Sequence, residues 1–378
     1  MKKRTIGTIE VAALLMMAVV PFASAITQDD IILYRGAGSW YGEQSGAAGF
    51  GDGTVVDASL TGFGLAGATA MVGDINGDGV DDVVVAQNNA GGYQWVAAHS
   101  TTDGSGNVVM SSATTSINNN FGTVDGNAGN RLADINGDGI KDIVTVNPDY
   151  TWHTMLSTTA GISTGAYQNK QFGLAGDHVL SGDFNGDGMS DMGLWRAGTT
   201  YVNLSDGGVL GAGAVATGGI GDSSWEMTLV GDINGDGRDD LMLVDNNDSH
   251  VADGQLSWIA AYGSASGQLD FTSGGGNSGF GYFGLNTDVP MLADINGDGK
   301  DDLVVTRSNG AGGMEFYSAY TDVSGALQGA VGVDSSTTFG FDTDQVVFGQ
   351  LNVIPEPAAL GMILLGGGVL WVRKRLMI

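Results

Sequence analysis

Five short stretches of this sequence carry oxygen-bearing side chains at alternate positions, a spacing that suits the capture of a hard divalent cation. The first reads Asp74-Ile75-Asn76-Gly77-Asp78-Gly79-Val80-Asp81-Asp82, and its counterparts begin at Asp134, Asp183, Asp232 and Asp294. A calcium-like ion takes six to eight oxygens at roughly 2.3 to 2.6 Å, and a short loop supplies them from side chains at positions 1, 3 and 5. A glycine at position 6 permits the sharp turn, position 7 offers its backbone carbonyl, and the carboxylate at position 9 closes the cage. This spacing predicts Asp74, Asn76, Asp78, Val80 and Asp82 as the first ligand set. The second is Asp134, Asn136, Asp138, Ile140 and Asp142, and the third is Asp183, Asn185, Asp187, Met189 and Asp191. Asp232, Asn234, Asp236, Arg238 and Asp240 form the fourth, and Asp294, Asn296, Asp298, Lys300 and Asp302 the fifth. Three carboxylates per loop, with no His or Cys among them, favour Ca²⁺ over softer metals. About five calcium sites are therefore expected. The other reading of the same residues is an Asx-rich turn that holds no metal. An EF-hand is excluded, since it requires Glu at position 12 and a helix beyond. Position 12 here is Val85, in an apolar run.

The loops need elements to hold them. A short apolar strand precedes each, and another follows at once, over 83–86, 143–146, 192–195, 241–244 and 303–306. A turn rich in Gly, Asn or Asp comes next, then a strand bearing a large aromatic at Trp95, Trp152, Tyr201, Trp258 or Phe316. Further turns, such as 103–107, introduce a fourth strand. The loops start 60, 49, 49 and 62 residues apart, a period that suits a four-stranded propeller blade with extra length in loops.

A second marker lies shortly before each loop: Phe63-Gly64, Phe121-Gly122, Phe172-Gly173, Ile220-Gly221 and Phe283-Gly284. It recurs at Phe339-Gly340, after which Gln350-Leu351-Asn352 keeps the Asn of the loop but loses its first Asp. The missing half of that sixth unit stands at the other end of the chain. There Asp29-Asp30-Ile31-Ile32-Leu33 matches the loop's close and the strand beyond it, and Trp40 takes the aromatic place. Because a partial blade leaves an unpaired edge, the expectation is an all-β propeller of six four-stranded blades over 26–352, the sixth closed by both termini. Seven blades, with one unit hidden in degenerate sequence, is the alternative.

Composition agrees. Sixty-five glycines and five prolines in 378 residues, with few Lys or Glu, describe short strands and tight turns. The formal net charge of −28 makes nucleic acid and anionic lipid poor partners. No cysteine is present, so cross-bracing must come from metal or packing.

Both ends read as addresses. Residues 1–25 have the order of a secretory signal peptide: Lys2, Lys3 and Arg4, an apolar run over 11–20, and Ala23-Ser24-Ala25 with cleavage expected after Ala25. Residues 353–378 carry Pro355-Glu356-Pro357, an apolar segment over 358–372 and a basic tail, Arg373-Lys374-Arg375. As a helix that segment reaches about 22 Å, short for a bilayer unless its flanks snorkel. Its basic tail stays cytoplasmic by the positive-inside rule. This terminus resembles the PEP-CTERM sorting signal of Gram-negative bacteria. The resemblance implies an exosortase as partner along with the secretion machinery, a transient inner-membrane anchor, and delivery to the outer surface or extracellular matrix. A plain single-pass transmembrane anchor is the other reading.

The loops, the Phe-Gly marker and their spacing resemble FG-GAP/VCBS-type repeats, the integrin-like propellers, over residues 29 to 352. That resemblance implies calcium held between adjacent strands and a role in adhesion or in binding exopolysaccharide or a surface protein. The departure at Gln350 leaves no metal expected in the sixth unit. One large aromatic per unit is what packing between blades requires, whereas exposed rings would stack on sugars. His99, His153, His178 and His250 share no repeat position, so no enzyme is expected; a polysaccharide lyase or hydrolase is the alternative.

Overall fold

A computed structural model describes residues 28–350 apart from 37, 47–48, 52–57, 90, 103–107, 124–128, 163–167, 248–253, 271–279, 322–327 and 331–332. The signal segment with Ala25, the sorting motif Pro355-Glu356-Pro357 and the apolar segment 358–372 lie outside the described residues. No described residue is helical.

Runs such as Asp82-Val83-Val84-Val85-Ala86 do not alternate polar with apolar side chains, so a strand built from one must be covered on both faces. The structure covers them all. The first five residues of Asp82–Asn89, Asp142–Val146, Asp191–Arg196, Asp240–Asp245, Asp302–Ser308 and Asp30–Arg35 are buried. Each is the second strand of an antiparallel blade and is sandwiched between its two neighbours.

The innermost strands, in order around the ring, are Thr69–Gly73, Gly129–Ala133, His178–Gly182, Met227–Gly231, Val289–Ala293 and Gln345–Gly349. Residues from five of these six wall a central channel of about 430 Å³. Blade 1 continues outward through Asp82–Asn89, Gly92–Thr102 and Val108–Thr123, and blades 2, 3 and 5 repeat the pattern. Blade 4 gains an outer parallel strand, Gln328–Ala330, paired with Phe280–Leu285. In blade 6 the inner strand comes from the far end of the chain: Gln345–Gly349 pairs antiparallel with Asp30–Arg35, Asp30 opposite Gly349 and Tyr34 opposite Gln345. Six blades close the ring, and the two half-units complete one another as the sequence predicts.

Adhesion between blades is apolar. One cluster joins Ile32, Tyr34 and Trp40 of blade 6 to Val83 and Val85 of blade 1, and comparable clusters fill the other junctions. Trp40, Trp95, Trp152, Trp258 and Phe316 are fully buried there, so the repeat aromatics are spacers rather than sugar platforms. The Phe-Gly marker serves them: the indole Nε1 of Trp40, Trp152 and Trp258 donates to the carbonyl of Phe63, Phe172 and Phe283, at 3.0, 2.8 and 2.8 Å. Blade 3 departs from the sequence expectation. Tyr201 is only half-buried, with the Arg196 guanidinium 5.1 Å from its ring, and Trp195 of the adjoining strand is the buried ring that donates to Ile220.

Truncating one spacer should be costly. Trp258→Ala is expected to lower unfolding free energy by about 3 to 5 kcal/mol, read as a shift in urea midpoint. Trp258→Phe keeps most of the volume and should cost less.

Candidate metal centres

Each acidic loop joins the innermost strand of its blade to the second. The carboxylate at position 1 organises it. In the first loop, Gly77 N donates to Asp74 Oδ1 at 2.6 Å and Gly79 N to Oδ2 at 2.7 Å. The same two bonds recur at Asp134, Asp183, Asp232 and Asp294, between 2.7 and 2.9 Å. Gly77 and Gly79 adopt φ of 76° and 80°, a left-handed backbone repeated in all five loops, and this is why glycine holds those places. Position 3 accepts from the amide of position 5 through its Oδ1, and position 5 accepts from the amide of position 7.

Position 9 opens the second strand. Asp82, Asp142, Asp191, Asp240 and Asp302 are completely buried. Their Oδ1 atoms accept from amides at the far end of the third strand, those of Ser100, Ser157, Ser205, Gly263 and Thr321, at 2.6 to 3.0 Å. Oδ2 accepts from the amide of position 2 in four loops, at 3.0 to 3.3 Å. In the third loop the position-2 amide, Phe184 N, stands too far off or too poorly aligned to make a full hydrogen bond to the buried Asp191 Oδ2.

Positions 1, 3, 5 and 9 thus share one loop, and every side-chain oxygen among them is of the type calcium prefers. Oδ2 of position 1 and Oδ1 of positions 5 and 9 keep a spare lone pair after one amide bond each, whereas Oδ1 of position 1 already accepts two or more amides. The donor set therefore fits the ion. Among the described residues, however, no three acidic or histidine side chains are gathered closely enough to grip an ion as they stand. The Asn side chains do not turn oxygen toward these acids either: Asn136 and Asn185 direct Nδ2 at Asp138 and Asp187, at 3.0 and 2.9 Å, and Asn76 Nδ2 faces Asp82 at 3.1 Å. In loops 4 and 5 the position-7 residue supplies a cation of its own, Arg238 pairing with Asp236 and Lys300 with Asp298.

Burial without a countercharge shifts the position-9 acids. Desolvation raises Asp142, Asp191 and Asp302 to about 7 and Asp240 to about 8, against the downward pull of their amide donors. Asp82 rises only to about 6, since His99 Nδ1 stands 3.2 Å from it.

Two features of the loops escape a reading of single repeats. The glycine at position 4 packs on the position-7 side chain of the next loop: a Cβ on Gly77, Gly137, Gly186 or Gly235 would come within 2.8 to 2.9 Å of Ile140, Met189, Arg238 or Lys300. Position 8 also works between blades, its amide donating to the position-1 carbonyl of the preceding loop. Lys141 bonds Asp74, Ser190 Asp134, Asp239 Asp183, and Asp301 Asp232, at 2.6 to 2.8 Å. Of the histidines, His99, His153 and His178 lie in separate blades, and His250 falls outside the described residues. Gly161-Ile162-Ser163-Thr164-Gly165 spells the pattern of a hydrolase nucleophile elbow, which needs a strand-to-helix turn. Gly161–Ile162 instead forms a short hairpin with Ser157–Thr158, and 163–165 are not described.

Ring and loops together define a six-bladed β-propeller built on acidic-loop repeats. Residues 287–319, which span the inner three strands of blade 5 and its loop, match the FG-GAP repeat family. Among solved structures, the Photorhabdus luminescens Tc holotoxin pore, carrying the mutation TccC3-D651A, is similar at 17% identity and a TM-score of 0.44, covering 80% of this chain. The TcdB2-TccC3-Cdc42 structure is similar at 15% identity and 0.29, covering 63%. This chain spans only 15% and 13% of those two chains. No curated protein matches it.

The raised acids fix a pH dependence for the metal-free protein. Folded carboxyls that titrate near 7 hold protons which the unfolded chain releases near 3.8, so stability is lost as pH rises through that window. In chelator, the melting temperature should fall from pH 5 to pH 8; a rise over that range would show that these carboxyls are ionised in the fold.

Proposed function

We propose that this chain is an exported calcium-binding β-propeller of the bacterial cell surface or extracellular matrix, which acts in adhesion by presenting its loops to exopolysaccharide or a surface protein. The observation that carries this reading is the row of five buried position-9 aspartates, each in one loop with two further carboxylates and an Asn. A divalent ion supplies the positive charge that these acids lack. Asp74, Asn76, Asp78 and Asp82, with the Val80 carbonyl, would hold it in the first loop after the Asn amide turns over, and the matching residues would do so in the others. The ion would stiffen the turn between first and second strands and so fix the rim of the propeller. The expected signal segment and the PEP-CTERM-like terminus support export and surface delivery by way of an exosortase.

Calcium should stabilise the fold by about 2.7 kcal/mol per site at a hundredfold excess over its dissociation constant. A thermal melt that ignores chelator would overturn the calcium reading. Loops 4 and 5 should bind more weakly than loops 1 to 3, because Arg238 and Lys300 compete for the position-5 carboxylates; Arg238→Met is expected to tighten the fourth site in a calcium titration. Binding to a glycan array without turnover would support adhesion, and release of cleaved product would refute it.

A further inference from the structure

The central channel is walled by apolar side chains of the innermost strands, and one cation stands among them. Arg131 occupies the middle of Gly129–Ala133, the place held by Met71, Leu180, Leu229, Met291 and Val347 in the other blades. Its Cζ lies 5.6 Å from the ring of Trp152, and its Nε is shut off from solvent with no hydrogen-bond partner. Other arginines of this fold are treated differently: Arg35, Arg196 and Arg307 each pair with an aspartate, Asp344, Asp177 and Asp288. Among the described residues no carboxylate pairs with Arg131. Burial pulls its pKa down to about 10, so it remains charged at neutral pH.

The acids nearest the channel sit at the loop ends of the innermost strands. Asp81, Asp239 and Asp301 lie beside the strand-end glycines Gly349, Gly182 and Gly231, and burial raises all three, Lys141 offsetting that only in part at Asp81 and Asp239. Those glycines lie two residues further along the strands than the Arg131 level, roughly 7 Å at the rise of a β-strand. A half-buried guanidinium whose Nε is shut off without a partner is unfavourable, and it is relieved by a planar anion that can take two parallel N–H bonds. A dianion such as phosphate would meet no second cation and would face the aspartates beyond.

We propose that the central channel binds a small monocarboxylate with a hydrocarbon body, its carboxylate held by the Arg131 guanidinium and its chain laid against Met71, Leu229 and Met291. The channel's volume of about 430 Å³ admits such a molecule. None of the residues proposed to touch the ligand is an expected calcium ligand.

The test is calorimetric titration of the purified protein with hexanoate, hexanamide and inorganic phosphate. Hexanoate should bind at one site, and hexanamide and phosphate on the order of tenfold more weakly or not at all. Arg131→Met should lose hexanoate binding while keeping the fold. Arg131→Lys keeps the charge but not the fork, and should bind on the order of tenfold more weakly; it serves alone if Arg131→Met does not fold. The proposal is overturned if the native protein does not bind hexanoate, if phosphate binds as tightly, or if either variant retains full affinity.

Discussion

A buried aspartate at the head of every second strand is the contact on which the rest of this propeller depends. Six of them, Asp30, Asp82, Asp142, Asp191, Asp240 and Asp302, have at most 1% of their surface exposed. Each takes the amide where the third strand ends, and Asp30 does so with Ser45 at 2.6 Å even though its blade has no complete loop. The residue thus ties loop, second strand and third strand together at a point no water reaches. An apolar residue there would leave that amide orphaned, and such a loss is more costly than the bond itself is favourable. The acid is retained despite the desolvation that raises it, and one side chain carries both the blade's geometry and its chemistry.

From that contact the loops interlock around the ring. A carbonyl at position 1 takes the amide of position 8 in the next blade, and a bare glycine at position 4 takes the next loop's position-7 side chain. The series does not break where the chain does. Asp29 N donates to the Asp294 carbonyl at 2.7 Å, and Gln350 N donates to Asp81 Oδ2 at 2.8 Å. Gln350 therefore keeps its place in the ring by its backbone amide, which any residue but proline provides, and the loss of Asp there costs only the local loop.

Repetition made much of this legible. The loops, the strands after them and the complementary half-units all follow from patterns that recur along the chain, and so the six blades could be counted without coordinates. What lay between repeats was hidden. Trp195 takes over from Tyr201 because of how blades 3 and 4 meet, and no feature within that unit announces it. Position 8 looks like one more acid of a loop until the next blade is set beside it. The oxygen-bearing positions of each loop could be named from spacing, whereas the turned Asn amides could not, because an amide rotates to suit its neighbours. Arg131 is inconspicuous in the sequence for a similar reason: only the register of six strands places it level with five apolar residues.

The pairing of Asp30–Arg35 with Gln345–Gly349 joins segments some three hundred residues apart. Contacts of such separation are slow to form, because the whole intervening chain must be ordered before they bring any gain. While a growing or threading polypeptide lacks its final strand, the first one presents a bare hydrogen-bonding edge flanked by Ile31, Ile32 and Leu33. Assembly is thereby timed to the arrival of Gln345–Gly349, and until then that edge is the point most exposed to pairing with a neighbour.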